Sequence, residues 1–422
     1  MWIKRLDERF YYGWVIVAAI MVILTFVTGL SFYNHSVILN ALSRQPNFTV
    51  ESASLAVSLF FLSGGFTGLW VAKLLRHFDP RICITVGASA AAAALMSLAF
   101  VHTTWQLFAV YVLFGMGFAG SALIPATTIL NQWFRARRAL ALSIASTGLS
   151  LGGVIVTPIS ATLVGKLGLN HAAPVLAGIF FLGVVPLAWL LLRASPEAVG
   201  LTPPPQFTTG PLANPAKGLA ANKSQLTIEG MNFREALRSR FFWCFSGAYI
   251  FLMMAQVGGI AHQYGLARET LSESQTAVAV AILPIGSIVG RLIGGWVVEK
   301  FSMRVFALAV MVIQVLALLT LSLGSGMIAL CVGLALFGSS VGNILMLQPL
   351  LVSEAFGIKD YARIFSVSNL LASWGTAAGP WVLGLVYTLR NNHYSSAYLV
   401  AAMAGLLGIL LFCCGGRVKQ AS

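Results

Sequence analysis

Apolar runs of about 20 residues or more follow one another along nearly the whole chain, broken by short polar or charged turns. A helix of about 20 residues crosses a hydrocarbon core of about 30 Å. Twelve such spans are predicted, at about 11–39, 53–75, 82–101, 105–132, 139–164, 172–192, 242–265, 275–298, 305–323, 327–352, 364–389 and 395–414. None has the short alternating segments of an outer-membrane barrel. The pattern predicts an all-α membrane protein of twelve transmembrane helices.

One long polar stretch interrupts this pattern, between spans six and seven. It begins SPEAVGLTPPPQFTTGPLANPAKG, rich in Pro, Gly, Thr and Asn, and reads as a flexible tether. It ends in FREALRSRFF, which predicts a short amphipathic helix on the cytoplasmic face. The expected organisation is a six-helix bundle at residues 1–193, a linker at 194–240 and a second six-helix bundle at 241–422. The two halves are related in sequence. Phe78 and Arg81 after span two recur as Phe301 and Arg304 after span eight, and the same spacing carries Ser143 onto Ser366. A proline follows late in each of those last two spans, Pro158 and Pro380. Pseudo-symmetric halves joined by a tether are the layout of transporters that rock about a central site.

Only 9% of the residues are charged, against about 25% in soluble domains. The net charge of +14 would suit a nucleic-acid partner, but its distribution argues otherwise. Apart from Arg44, Lys166, Arg268, Arg390 and Arg291, every Lys and Arg falls on one side of the predicted helices. The positive-inside rule makes that side cytoplasmic, together with both termini. The basic surplus is therefore topological, and no nucleic acid is expected. The N-terminal MWIKRLDERF resembles the basic segment of a secretion signal. The apolar run behind it is too long for one and no A-x-A-like site follows, so it reads as a retained first helix. The five cysteines (Cys83, Cys244, Cys331, Cys413 and Cys414) lack metal-ligand spacing. No HExxH, nucleophile elbow, Walker sequence or pair of intramembrane acids occurs. The chain reads as a non-enzyme with neither cofactor nor metal.

Arg291 is the one charge set well inside a span, in QTAVAVAILPIGSIVGRLIGGWVVEK. A cation there costs several kcal/mol unless it faces water, a partner or a ligand. It stands about eight residues from Glu299, roughly 12 Å along a helix and so near mid-membrane. A guanidinium grips a carboxylate by two parallel hydrogen bonds, and one buried cation without a second argues for a monoanion. The other reading has Arg291 snorkelling to the cytoplasmic interface. His35, in GLSFYNHSVILN, is the candidate to bind substrate and carry a proton, since imidazole changes charge between pH 5 and 8; a packing histidine is the alternative. Asn34 points about 100° away from it. Asn343 in span ten and Asn369 in span eleven are the preferred cavity-lining polar residues, with helix bridging as the other role. His262, Gln263 and Tyr264 are expected near the outer mouth. Gly286, Gly290 and Gly294, four apart, predict a smooth face for close helix approach.

After span eight stands GGWVVEKFSMR, in which Gly295, Glu299, Lys300 and Arg304 place an acid at a helix end among basic residues. This resembles the cytoplasmic gate motif of the major facilitator superfamily, and the resemblance extends over essentially the whole chain. The first-half copy, GLWVAKLLRHFDPR, departs from the pattern, with Arg76 where the acid is expected and Asp79 where Gly is usual. Three segments are similar to the monocarboxylate-transporter-like branch: FYYGWVIVAA, NQWFRARRALALSIASTG and AAGPWVLGLVYTLRNNHYSSAY. That branch's eighth-span Arg falls on Arg291. Its span-four Tyr is Leu123 here, its Asp one turn before the Arg is Ser287, and its first-span Lys falls near His35 or Ser36. SNLLASWGTAAGP has no span-eleven basic residue of the oxalate-transporter kind.

The resemblance implies a superfamily fold of two six-helix bundles and a secondary transporter moving a small organic monoanion, a monocarboxylate, by alternating access with a proton. Exchange or uniport of a larger or amphipathic carboxylate is the runner-up, and a non-transporting sensor on the same fold is a third reading. The expected setting is the bacterial inner (plasma) membrane, with both termini cytoplasmic. The expected partners are the organic anion, protons and the lipid bilayer, and the chain is expected to function as a monomer.

Overall fold

The computed structural model describes residues 11–75, 77–134, 138–196, 231–357, 360–390 and 392–416. Its twelve helices long and apolar enough to cross a membrane are α1 (Gly13–Ser43), α2 (Val50–Leu74), α3 (Pro80–Phe100), α4 (Thr104–Trp133), α5 (Ala141–Leu167), α6 (Leu169–Leu190), α7 (Arg240–Thr270), α8 (Glu273–Val297), α9 (Met303–Leu323), α10 (Gly326–Phe356), α11 (Arg363–Leu389) and α12 (Tyr394–Cys414). Each predicted span corresponds to one of them. The ends of α7 run further than hydropathy predicts because polar residues complete the helix. At its start the Ser239 side chain accepts the Phe242 N–H. Near its end Glu269 accepts the N–H of Tyr394, at the start of α12. Thr49, Thr103 and Ser272 open α2, α4 and α8 with capping boxes, which satisfy helix N–H groups that would otherwise lack acceptors.

Two helices are irregular where they approach the centre of the molecule. Within α1 the α-helix stops at Leu30 and resumes at His35. Within α5 a π-helical turn covers Gly152–Val156, a feature that often marks functional positions.

Within the first six helices the main pairings are α2 with α4, α3 with α4 and α6, and α1 with α5. Within the last six they are α7 with α11 and α12, α8 with α10, and α9 with α10 and α12. One apolar core runs through α1–α6, and two smaller ones occupy α7–α12. The α8–α10 crossing depends on glycine. A Cβ on Gly286 or Gly290 would stand 2.5 Å from the carbonyl oxygen of Ala335 or Ser339, so only hydrogen fits at this approach.

Ser287 and Arg291 stand one and five residues after Gly286, so they leave α8 on another side, toward the first half. The halves are joined from mid-membrane to the face that carries the α1–α2 loop. Trp381 N–H of α11 donates to Ser58 Oγ of α2 at 3.1 Å. His262 Nε2 of α7 lies 3.0 Å from Pro380 O and 3.4 Å from Ser54 Oγ. Arg44 and Glu273 approach to 3.9 Å. Toward the linker face Leu69 and Trp70 of α2 and Leu370 and Trp374 of α11 are exposed. Among the described residues, the polar contacts between the halves lie at mid-membrane and toward the face of the α1–α2 loop.

A short helix, Phe233–Arg238, precedes α7. It docks where α10 turns into α11: Phe233 N–H donates to Asp360 Oδ2 at 2.8 Å and Met231 N–H to Phe356 O at 2.9 Å. The tether before it, at 197–230, lies outside the described residues.

Candidate functional site

Between the halves, on the linker side of their contacts, lies a cavity of about 360 Å³ walled by α1, α2, α4, α5, α8 and α10. Arg291 supplies its charge. The residue is part-buried, and its Nη2 donates to Ser150 Oγ of α5 at 3.0 Å and to Ser287 Oγ one helical turn back at 3.2 Å. The two serine oxygens lie 3.4 Å apart. Tyr33 stands beside both Ser150 and Arg291. Among the described residues, Nε of Arg291 is buried without a partner and no hydrogen bond engages Nη1. Among the described residues no carboxylate approaches within ion-pair distance.

A snorkelling side chain would extend along its helix toward the interface. Here the guanidinium is held at the level of Ser287, across the junction of the halves. An unpaired cation in a partly desolvated site is a strong attractor for an anion, and the unengaged N–H groups provide the donors.

The remaining walls are aromatic: Phe32 and Tyr33 from α1, Phe60 and Phe61 from α2, and Phe118 from α4. Phe61 packs edge-on against Phe32 and Phe60, with centroids 5.7 and 5.1 Å away. Gly64 and Gly65 of α2 leave the wall between them low. None of Tyr33, Ser150, Phe60, Phe61 or Phe118 had been singled out from the sequence. Ser150 carried one signal, its position just before the Gly152–Gly153 pair of α5.

The other predicted binding residues are placed elsewhere. His35 does not line the cavity. The break in α1 turns it toward α2 and α4, where it is fully buried and its ring lies 4.2 Å from Phe60 and 5.6 Å from Tyr111. Neither ring nitrogen has a hydrogen-bond partner among the described residues. Asn343 bridges helices: its Nδ2 donates to Gly290 O of α8 at 2.8 Å and to Ser339 O at 2.9 Å. Asn369 is exposed on α11 and is not among the residues that line the cavity. Helix bridging, the alternative reading, describes Asn343.

The gate-motif residues are dispersed. Gly295 is exposed, with open space where a Cβ would stand. Lys300 lies over the Trp296 ring at 4.0 Å. Arg304 stacks on Phe412 and donates to Gly416 O, past the end of α12. The Glu299 side chain and Arg76 lie outside the described residues. In the first-half copy Asp79 pairs with Arg81 at 2.7 Å and accepts its backbone N–H at 2.9 Å, capping α3.

Over residues 21–267 and 255–420 the chain matches the Major Facilitator Superfamily. It belongs to that family. The superfamily member is 23% identical over 403 residues to the Probable transporter MCH2 of Saccharomyces cerevisiae, covering 92% of this chain and 79% of the yeast protein. It is 26% identical over 369 residues to the MFS-type transporter hasB of Aspergillus fumigatus, covering 84% and 77%. Among solved structures it resembles the nucleoside transporter NupG, with a TM-score of 0.75 at 11% identity, covering 95% of this chain and all of that one. It also resembles a bacterial homologue of the human lysosomal transporter Spinster in an inward-facing, unoccupied conformation, with a TM-score of 0.64 at 18% identity and 95% coverage of both chains. These likenesses establish the fold and the general class: a membrane transporter of the superfamily.

Proposed function

We propose that this superfamily member moves a small organic monoanion, a monocarboxylate, across the membrane by alternating access, with Arg291 as the carboxylate-binding residue. One observation carries the reading: a guanidinium held at the junction of the two halves by Ser150 and Ser287, with two nitrogens unengaged and no carboxylate partner among the described residues. A single cation matches a single carboxylate, and a second negative charge would go unmatched at membrane depth. The similarity of several segments to the monocarboxylate-transporter-like branch supports the same assignment.

The basic loops put the linker face in the cytoplasm. The conformation is then inward-facing, with the closed contacts at Ser58–Trp381 and His262–Pro380 on the outer side. Among the described residues the cavity lining contains neither a carboxylate nor an imidazole. That observation favours exchange or uniport of the anion over proton symport, in which a group in the cavity would take up the proton.

The test is uptake of labelled monocarboxylates by proteoliposomes, with and without an imposed pH gradient, for the wild type and for Arg291→Gln. Saturable uptake lost at least about a hundredfold in a folded Arg291→Gln protein is expected, as for removal of a buried charged partner. Uptake unaffected by that substitution would overturn the assignment. Acceleration by an inward proton gradient would restore symport over exchange.

A further inference from the structure

The cavity around Arg291 also carries information about the rest of the substrate, and this inference rests on the reading of Arg291 as the carboxylate site. From the polar inventory of its walls, we infer that the transported anion is an aromatic monocarboxylate, an aryl-alkanoate with one carboxylate and no other strongly polar group. The hydroxyls of Ser150 and Ser287 already accept from Arg291. Thr28 Oγ1 is tied to the carbonyl oxygens of Leu24 and Leu149 at 2.7 and 2.9 Å. The polar capacity left for a ligand is concentrated at one end, at the guanidinium with Tyr33 beside it.

The other end is a nest of rings. Phe32, Phe60, Phe61 and Phe118 form a continuous edge-to-face and tilted chain, with neighbouring centroids 5.1–5.7 Å apart. A flat ring docked there gains apolar burial together with favourable aromatic geometry. A short hydroxy acid would leave this wall unfilled, and its hydroxyl would be desolvated against phenyl rings without a partner. The cavity of about 360 Å³ lies within the range of about 300–1,000 Å³ usual for small-molecule sites.

Gly65 sets the space available to that ring. It lines the cavity, and a Cβ built on it meets no heavy atom within 4 Å. A larger side chain is therefore accommodated by the fold while it occupies ligand space. In this reading Gly65 is a specificity-determining position, and its side chain limits the size of the acid.

The experiment is competition binding and uptake in proteoliposomes with acetate, lactate, phenylacetate, 3-phenylpropionate, and the neutral phenylacetamide. It uses the wild type, Arg291→Gln and Gly65→Leu, each checked for monodispersity and thermal melting. The aryl acids are expected to bind at least about tenfold more tightly than lactate, the scale on which an apolar pocket discriminates. Phenylacetamide is expected to fail, and Gly65→Leu to reduce the aryl-to-lactate affinity ratio at least about tenfold. Lactate binding as tightly as the aryl acids, with all binding lost in Arg291→Gln, would overturn the aromatic assignment and leave the carboxylate site standing. Equal binding of phenylacetate and phenylacetamide, surviving in Arg291→Gln, would overturn the carboxylate site itself. A folded wild type that binds none of the acids would overturn both.

Discussion

Nη2 of Arg291 lies 3.0 Å from Oγ of Ser150, so one hydrogen bond ties α8 of the second half to α5 of the first at the level of the cavity. Alternating access requires the two halves to move relative to each other. Under the proposed alternating access this bond places the substrate's proposed counter-charge on the seam that would move, so that binding and rocking would be coupled through the same side chain.

Ser150→Ala removes one of the two hydroxyls that hold the guanidinium. A hydrogen bond to a charged group contributes about 1.5–3 kcal/mol, although Ser287 and the cavity solvent will offset part of the loss. Binding of a monocarboxylate is expected to weaken about tenfold. Ser150→Thr, which keeps the hydroxyl, is expected to recover most of it. Equal affinities for wild type and Ser150→Ala in a competition assay would show that Ser287 alone orients Arg291.

Gly290→Val tests the α8–α10 crossing. A Cβ there would stand 2.5 Å from Ser339 O, and its neighbour Asn343 donates to Gly290 O itself. The helices must separate to admit the side chain, which costs about 1–3 kcal/mol or more by the scale of overpacked cores. The variant is expected to melt several degrees below the wild type and to be recovered in lower yield. Gly295→Val, where a Cβ meets nothing within 4 Å, is expected to melt within error of wild type.

The Asp79–Arg81 pair gives a pH-dependent contribution outside the membrane. Partial burial acts to raise the Asp79 carboxyl, but hydrogen bonds from the Arg81 side chain and backbone, with the charges of Arg81 and Arg193, outweigh it and hold the group below the usual carboxylate range. A carboxyl depressed on folding stabilises the protein above its unfolded value of about 3.9 and loses that contribution as pH falls through the folded value. The melting temperature of Asp79→Asn is therefore expected to lie below that of the wild type near pH 7, and the gap to close only below about pH 4. A gap that persists unchanged to pH 3 would mean that packing, not charge, accounts for it.

The sequence made the twelve spans and the mid-span depth of Arg291 legible because those features depend on depth and length alone. An apolar run of about 20 residues is visible without knowing its neighbours, and so is the one charge set well inside such a run. The α8 glycine face was legible for the same reason, since a four-residue spacing fixes one side of a helix. Which way a polar residue faces depends on neighbours that the pattern does not name. His35 lies off the cavity lining because α1 breaks between Leu30 and His35, which resets the helical phase. Asn343 has suitable depth, yet the close approach at Gly290 captures its amide for α8. The aromatic wall draws on Phe32, Phe60, Phe61 and Phe118 from three helices, and only packing brings them together among the many phenylalanines of the chain.

The closed face is held by a small polar knot. His262 Nε2 reaches Pro380 O at 3.0 Å and Ser54 Oγ at 3.4 Å, while Nδ1 is buried without a partner. Nearby, Trp381 N–H donates to Ser58 Oγ at 3.1 Å. The Ser54 and Ser58 contacts cross between α2 and the second half, so they exist only while this face is shut. Opening of this face in the proposed alternating access would break them, at about 0.5–1.5 kcal/mol for each hydrogen bond. Ser54→Ala combined with Ser58→Ala removes the first-half partners and spares the His262–Pro380 contact inside the second half. The closed-to-open ratio is then expected to fall at least about fivefold. Spin labels at Asn170 and Ser274, both exposed on this face and in different halves, would report it. The double variant should enlarge the long-distance component of the measured distribution. An unchanged distribution would place the hold on this face in the apolar contacts of α1, α2, α7 and α11 instead.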